Sequence, residues 1–145
     1  MNDIILVSGG FDPIHSGHID LIKDASKYGD VVVLLNSDAW LIQKKGREFL
    51  PYEERKIIMS ALKNVIDVIS FDDSDQTCVE GIRKAIEKYP NQKIKFANGG
   101  DRSHNTTPSP EKAYCEQNKV EVLWGIGGHN KSNSSSWILK KWLQK

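Results

Sequence analysis

The chain has 145 residues, the length of one ordinary domain, with 39% hydrophobic and 27% charged residues, a globular composition that argues against disorder. Lys and Arg total 20 against 19 Asp and Glu, a net charge of +1, which gives no support to a nucleic-acid protein held by bulk positive charge. The longest apolar run, Val31 to Leu35, is too short to span a bilayer, no signal peptide is read at the start, and two isolated cysteines, Cys78 and Cys115, suit a reducing cytoplasm rather than a disulfide or zinc framework.

Asp3 to Val7 is an apolar, β-branched run ending in Ser8-Gly9-Gly10, which predicts a buried strand delivered into a tight turn. Helical spacing of Ile19, Ile22 and Ala25 predicts a helix from His18 to Tyr28, with Gly29 as its stop. Val31 to Leu35 reads as a strand covered on both faces. A Lys-rich loop (Gln43 to Arg47) follows, and Pro51 precedes a helix from Glu53 to Lys63. The alternation continues with a strand from Val65 to Phe71, a helix from Thr77 to Lys88, a strand from Ile94 to Ala97, a helix from Glu111 to Gln117, a strand from Val120 to Trp124 and a helix from Ser135 to Leu143. Strands alternating with helices imply a parallel sheet between helix layers, so the expectation is one α/β domain over residues 1–145.

Such sheets bind ligands beyond the carboxyl ends of their strands, where strand order reverses. Three predicted strands end in Gly-containing loops, at Gly9-Gly10, Gly99-Gly100 and Gly127-Gly128, and a reversal between the first and fourth strands would bring all three together. The most informative stretch lies at the first of them: Gly9-Gly10-Phe11-Asp12-Pro13-Ile14-His15-Ser16-Gly17-His18. Two histidines flank Ser-Gly where a strand turns into a helix, whose N-terminus attracts phosphate. Two imidazoles there can donate to phosphate oxygens and to charge growing on phosphorus. No nearby Cys or Glu completes a tetrahedral zinc set.

These residues resemble the HxGH signature of the cytidylyltransferase-like nucleotidyltransferases. Gly29-Asp30, Asn36-Ser37-Asp38, Lys45-Gly46-Arg47, Pro51, Glu54-Arg55, Ala61-Leu62-Lys63 and Gly99-Gly100-Asp101 extend the likeness to the heptose-phosphate adenylyltransferase and glycerol-3-phosphate cytidylyltransferase branches. Ser134-Ser135-Ser136 resembles the family's second signature at the start of the last helix. The resemblance implies a Rossmann-like three-layer α/β/α fold with a five-stranded parallel sheet in the order 3-2-1-4-5, and a homodimer. It implies transfer of a nucleotidyl group from CTP or ATP, accompanied by Mg²⁺ or another divalent cation, to a small phosphorylated acceptor, with pyrophosphate released. By matched position His15, His18 and Lys45 would be catalytic. Gly9, Gly10, Phe11, Asp12, His15, His18, Gly99, Asp101, His129, Ser134, Ser135 and Ser136 would bind the nucleotide, and Lys44 and Arg55 would bind a phosphate or the acceptor.

The chain departs from the cytidylyltransferase pattern before the serine cluster. An arginine and a glycine that help recognise cytosine are replaced by His129 and Ser132. Arginine presents a fixed, charged donor fork, whereas a neutral imidazole offers one donor and one acceptor. The expectation is therefore a weaker preference for CTP, with ATP as competitor. Trp124, Trp137 and Trp142 could stack on a base, Trp137 from beside the serine cluster, but helical tryptophans more often pack against a sheet. Two other classes compete: a nucleotide-binding regulatory domain without turnover, and a dinucleotide oxidoreductase. The latter lacks GxGxxG after its first strand.

Overall fold

The computed structural model describes residues 2–99, 109–127 and 135–144. Within them the elements run β1 (Ile4–Gly9), α1 (Ser16–Ala25), β2 (Asp30–Leu35), α2 (Asp38–Lys45), α3 (Tyr52–Ser60), β3 (Val65–Ser70), α4 (Val79–Lys88), β4 (Ile94–Gly99), α5 (Pro110–Gln117), β5 (Glu121–Ile126) and α6 (Ser135–Leu143). All strand pairs are parallel, and the sheet order is β3-β2-β1-β4-β5. The predicted alternation and the expected order both hold.

The two central strands show why a continuous apolar run is needed. Side chains alternate between the faces of a strand. Ile4 and Leu6 of β1, with Val32 and Leu34 of β2, pack on one face with Ile82 and Ala85 of α4 and Cys115 of α5. Ile5 and Val7, with Val31, Val33 and Leu35, pack on the other with Ile22 and Ala25 of α1 and Met59 of α3. Every residue from Ile4 to Val7 and from Val31 to Leu35 is fully buried, so neither strand has a polar face to spare.

Gly29 was expected as a helix stop, and the structure adds a steric reason for it. A Cβ there would lie 2.3 Å from the carbonyl oxygen of Asp3, the same oxygen that accepts the Asp30 N–H at 2.8 Å to open the β1–β2 pairing. Any side chain would push that first pairing apart.

One expectation is corrected. The Lys-rich segment is not a loop but the end of α2, with Lys44 and Lys45 in its last turn. Ser37 caps the helix, its Oγ accepting the Trp40 N–H at 3.1 Å, and Gly46 closes it in a left-handed conformation with φ 92°. Both are ordinary cap residues. Only Leu41 is buried among the eight helical residues, so no apolar stripe marked the helix.

The chain runs outward from β1 to β2 and β3, then crosses back over β1 to β4 and β5. Strand order therefore reverses between β1 and β4, and the carboxyl ends of both open on the same edge of the sheet. That edge is where a ligand crevice forms in such folds.

Candidate active site

At this edge β1 enters a turn with little conformational freedom. Gly10 lies against α2: a Cβ on it would come 2.8 Å from Leu41 Cδ2 and 3.4 Å from the Trp40 ring. Phe11 follows with φ 50°, a left-handed conformation that costs a non-glycine residue about 1 kcal/mol or more. Its buried ring meets His18 edge-on, with centroids 4.7 Å apart.

The turn delivers the chain to α1, whose N-terminus is capped by imidazoles. His15 is the N-cap residue, and its Nδ1 accepts the Gly17 N–H at 3.0 Å. In return His18 Nδ1 accepts the His15 N–H at 3.2 Å. Ser or Thr paired with Glu does this reciprocal work in an ordinary capping box. Because both Nδ1 atoms accept, each neutral ring carries its proton on Nε2. The rings stack with centroids 3.7 Å apart and planes 26° from parallel. Burial, then His15 and Lys45, push His18 down to about 3, so it is a neutral donor at physiological pH. Neutral N–H donors at a helix N-terminus suit phosphate oxygens and developing negative charge.

Lys45 reaches this turn from α2, donating to the carbonyl oxygen of Asp12 at 2.8 Å. Burial lowers its ammonium below the ordinary lysine value; Asp12 opposes the shift, and Lys44 and Arg55 add to it. Lys44 points elsewhere, its ammonium lying 4.6 Å above the Trp40 ring. From the far side, Ser135 Oγ donates to the Pro13 carbonyl at 2.7 Å, which sets the start of α6 against the same turn. Thus His15, His18, Lys45 and Ser135 are brought together from α1, α2 and α6. Gly99 ends β4 across from Ile126, and Gly9 ends β1 with its carbonyl accepting the Asn36 N–H at 3.0 Å. Asp101, His129 and Ser134 lie outside the described residues, as does the side chain of Ser136.

Two expected ligand contacts are corrected. Asp12, expected at the nucleotide, is 1% exposed. Its Oδ2 accepts the Phe49 N–H at 2.6 Å and its Oδ1 the Leu50 N–H at 2.7 Å, so the carboxylate shapes the loop after α2. Buried, with each oxygen on a backbone N–H, the carboxylate is not presented to a metal in the crevice, and among the described residues no three His, Cys, Asp or Glu are grouped to hold a metal ion. Arg55, expected at a phosphate, is likewise 1% exposed. Its Nε donates to Leu50 O at 2.9 Å, its Nη1 to Gly10 O at 3.0 Å and Asn36 O at 2.8 Å, and its Nη2 to Asp38 Oδ1 at 2.6 Å. The guanidinium is a buried tie between the ends of β1 and β2, the start of α2 and the loop before α3.

Sequence reasoning missed the other half of that tie. Asp73, in the β3–α4 loop, is 5% exposed and accepts from Asn36 Nδ2 and from both the N–H and the hydroxyl of Ser37. In sequence it sits in Asp72-Asp73-Ser74-Asp75, which reads as a solvated acidic turn. Cys78 and Cys115 are both buried, and burial raises their thiols to about 12 and about 11. Neither is poised as a nucleophile.

Comparison with known proteins bears on the family and the fold. The family model described as cytidylyltransferase-like matches residues 6–131. The chain is 33% identical over 98% of its length to the bifunctional protein HldE of Citrobacter koseri, and 33% identical over 95% to that of Salmonella arizonae. It spans only 28% and 27% of those longer relatives. Among solved structures, the lipopolysaccharide core biosynthesis protein from Thermoplasma volcanium superposes with a TM-score of 0.63 at 20% identity, over 84% of this chain and 94% of that one. At that identity the likeness is one of fold. Among the described residues no helix is long and apolar enough to cross a membrane.

Proposed function

Because this chain belongs to the cytidylyltransferase-like family of nucleotidyltransferases, we propose that it transfers a nucleotidyl group, from ATP ahead of CTP, to the phosphate of a small sugar or polyol phosphate. An acceptor phosphate oxygen attacks the α-phosphorus and forms the new P–O–P linkage. The bond from that phosphorus to the bridging oxygen breaks, and pyrophosphate leaves with the electron pair. The preference for ATP is supported by the resemblance of Gly99-Gly100-Asp101 to the heptose-phosphate adenylyltransferase branch and by the loss of the cytosine-pattern arginine at His129.

The observation that carries the reading is the stacked His15–His18 pair at the α1 N-terminus, with protons held on Nε2. Phosphoryl-type transfer asks for positioning and charge stabilisation rather than a covalent intermediate. The two Nε2–H groups donate to the triphosphate and to charge growing on the α-phosphorus. Lys45 adds a cation beside them, and the serine cluster donates to the β- and γ-phosphates: Ser134 and Ser136 by hydroxyl or backbone N–H, and Ser135, whose hydroxyl proton goes to the Pro13 carbonyl, by its backbone N–H. A divalent cation belongs to the same proposal as a companion of the triphosphate, carried on its phosphate oxygens; Asp12 does not hold it. So do a homodimer, action in the cytoplasm, and residues 1–145 as one catalytic unit.

Pyrophosphate release with each of the four nucleoside triphosphates, with and without sugar phosphates, tests the proposal. Release that needs an acceptor and is fastest with ATP is the expected result. A triphosphate that raises Tm but releases no pyrophosphate with any acceptor would leave a binding domain instead. Bound at a hundred times its Kd, a ligand stabilises the fold by about 2.7 kcal/mol, so binding is measured independently of turnover.

Lys45→Ala is expected to lower kcat/KM by roughly 10²-fold, the scale of losing one preorganised charge-stabilising donor. Its Tm should fall little, because one partly exposed lysine bond to a carbonyl is worth only about 1 kcal/mol. Lys44→Ala should be far milder, since that ammonium is engaged with the Trp40 ring. Equal losses in the two variants, read from parallel kinetics, would overturn the assignment to Lys45.

A further inference from the structure

Lys45 can act on a triphosphate only if α2 is held in place, and α2 is eight residues long with a single buried side chain. A helix so short has little stability of its own. Its first turn is gripped from two directions. Arg55 holds Asp38 and the Asn36 carbonyl from below. From the β3–α4 loop, Asp73 Oδ2 accepts the Ser37 N–H at 2.8 Å and Asn36 Nδ2 at 3.0 Å, while Oδ1 accepts the Ser37 hydroxyl at 2.7 Å. That hydroxyl in turn accepts the Trp40 N–H and caps the helix.

The arrangement is directional. The Ser37 hydroxyl has one proton; donating it to Asp73 leaves the oxygen lone pairs aimed at the helix N–H. A buried carboxylate against the positive end of α2 is also favourable to the helix dipole. Asp73 thus anchors the end of α2 opposite to Lys45, whose own ammonium rests on the Asp12 carbonyl. With one end fixed and only about 1.5 Å of rise per residue, the position of Lys45 beside His18 is set from Ser37.

We propose that Asp73 is a positioning residue for the transfer reaction: without touching substrate, it fixes α2 through Ser37 and so holds Lys45 at the histidine turn. The inference rests on the role given to Lys45 above. Its charge and its three acceptor bonds, not its bulk, are what α2 requires.

The test is a double-mutant cycle joining Asp73→Asn and Lys45→Ala, with an arm that needs no turnover. Asparagine keeps the shape but loses the charge and sets an NH₂ group against donors. Asp73→Asn should lower kcat about tenfold, the scale of charge-assisted hydrogen bonds lost, with the triphosphate KM little changed. In the Lys45→Ala background the same substitution should change kcat by less than about twofold. An equal drop in both backgrounds, or none in either, overturns the proposal. Separately, limiting acetic anhydride followed by peptide mass mapping reads the accessibility of Lys45. Acetylation of Lys45 should become severalfold faster in Asp73→Asn; an unchanged rate overturns the proposal. If the parent protein releases no pyrophosphate, the proposed function fails while the acetylation arm still decides the role of Asp73. Should Asp73→Asn not fold, Ser37→Ala removes one of the three donors and passes through the same measurements.

Discussion

Replacing His18 with Ala is expected to lower kcat by about 10²–10³-fold while the triphosphate KM moves far less, because a preorganised donor aimed at developing charge counts most in the transition state. The geometry separates two losses in this variant. The ring supplies the Nε2–H, and its Nδ1 also accepts the His15 N–H that closes the helix cap. Cap loss costs about 0.5–2 kcal/mol of stability. His18→Asn keeps an acceptor close to that N–H, so its Tm should recover while kcat stays low. Near-parental kcat in His18→Ala would exclude the crevice as the reaction centre. The same imidazole gives a pH signature. The unfolded chain protonates it near the ordinary value of 6.5, whereas the folded chain does so only near 3. Between those values the unfolded state binds more protons, so stability rises with pH and is lost as pH falls through the window. Above it the group contributes no slope. Urea titrations at several pH values should therefore show a shallower acid loss for His18→Asn than for the parent.

Arg55→Met is expected to cost about 3–5 kcal/mol of folding stability, the scale of removing one partner from a buried ionic network. In a domain of this size that is about 10 °C or more in Tm. The Asp38 carboxylate is partly exposed and can rehydrate, with 38% of its side chain accessible. The larger share of the loss comes from the carbonyls of Gly10, Asn36 and Leu50, left without their shared donor. Arg55→Lys should recover little, since one ammonium cannot reproduce a planar fork serving four acceptors. Denaturant midpoints measure this directly. A variant with parental stability and a raised KM would instead make Arg55 the phosphate ligand that its matched position implied.

The two arginine readings show where sequence reasoning stops. Glu54-Arg55 at matched spacing identified the residue but not its direction, and direction depends on segments 5 to 45 residues away meeting at one guanidinium. Asp12 failed in the same manner: its neighbours Phe49 and Leu50 lie far along the chain, and nothing local says that they return to it. Asp73 carries no signal at all until Ser37 is seen beneath it. α2 was missed for a different reason, since its caps were present but its apolar stripe was not.

Local chemistry was legible throughout. Continuous apolar runs of four or five residues announce strands buried on both faces, alternation with helical spacing announces a parallel sheet, and His-Ser-Gly-His after a Gly turn announces a helix start. Each of these depends on contacts within a few residues or on a periodicity, and both are written along the chain. Tertiary structure decided which polar groups face the crevice and which are consumed in building it. A buried carboxylate or guanidinium must satisfy its hydrogen bonds wherever partners are to be found, and those partners come from loops that only the sheet order brings together. His15, His18 and Lys45 meet at the turn, whereas Asp12, Arg55 and Asp73 are spent beneath it.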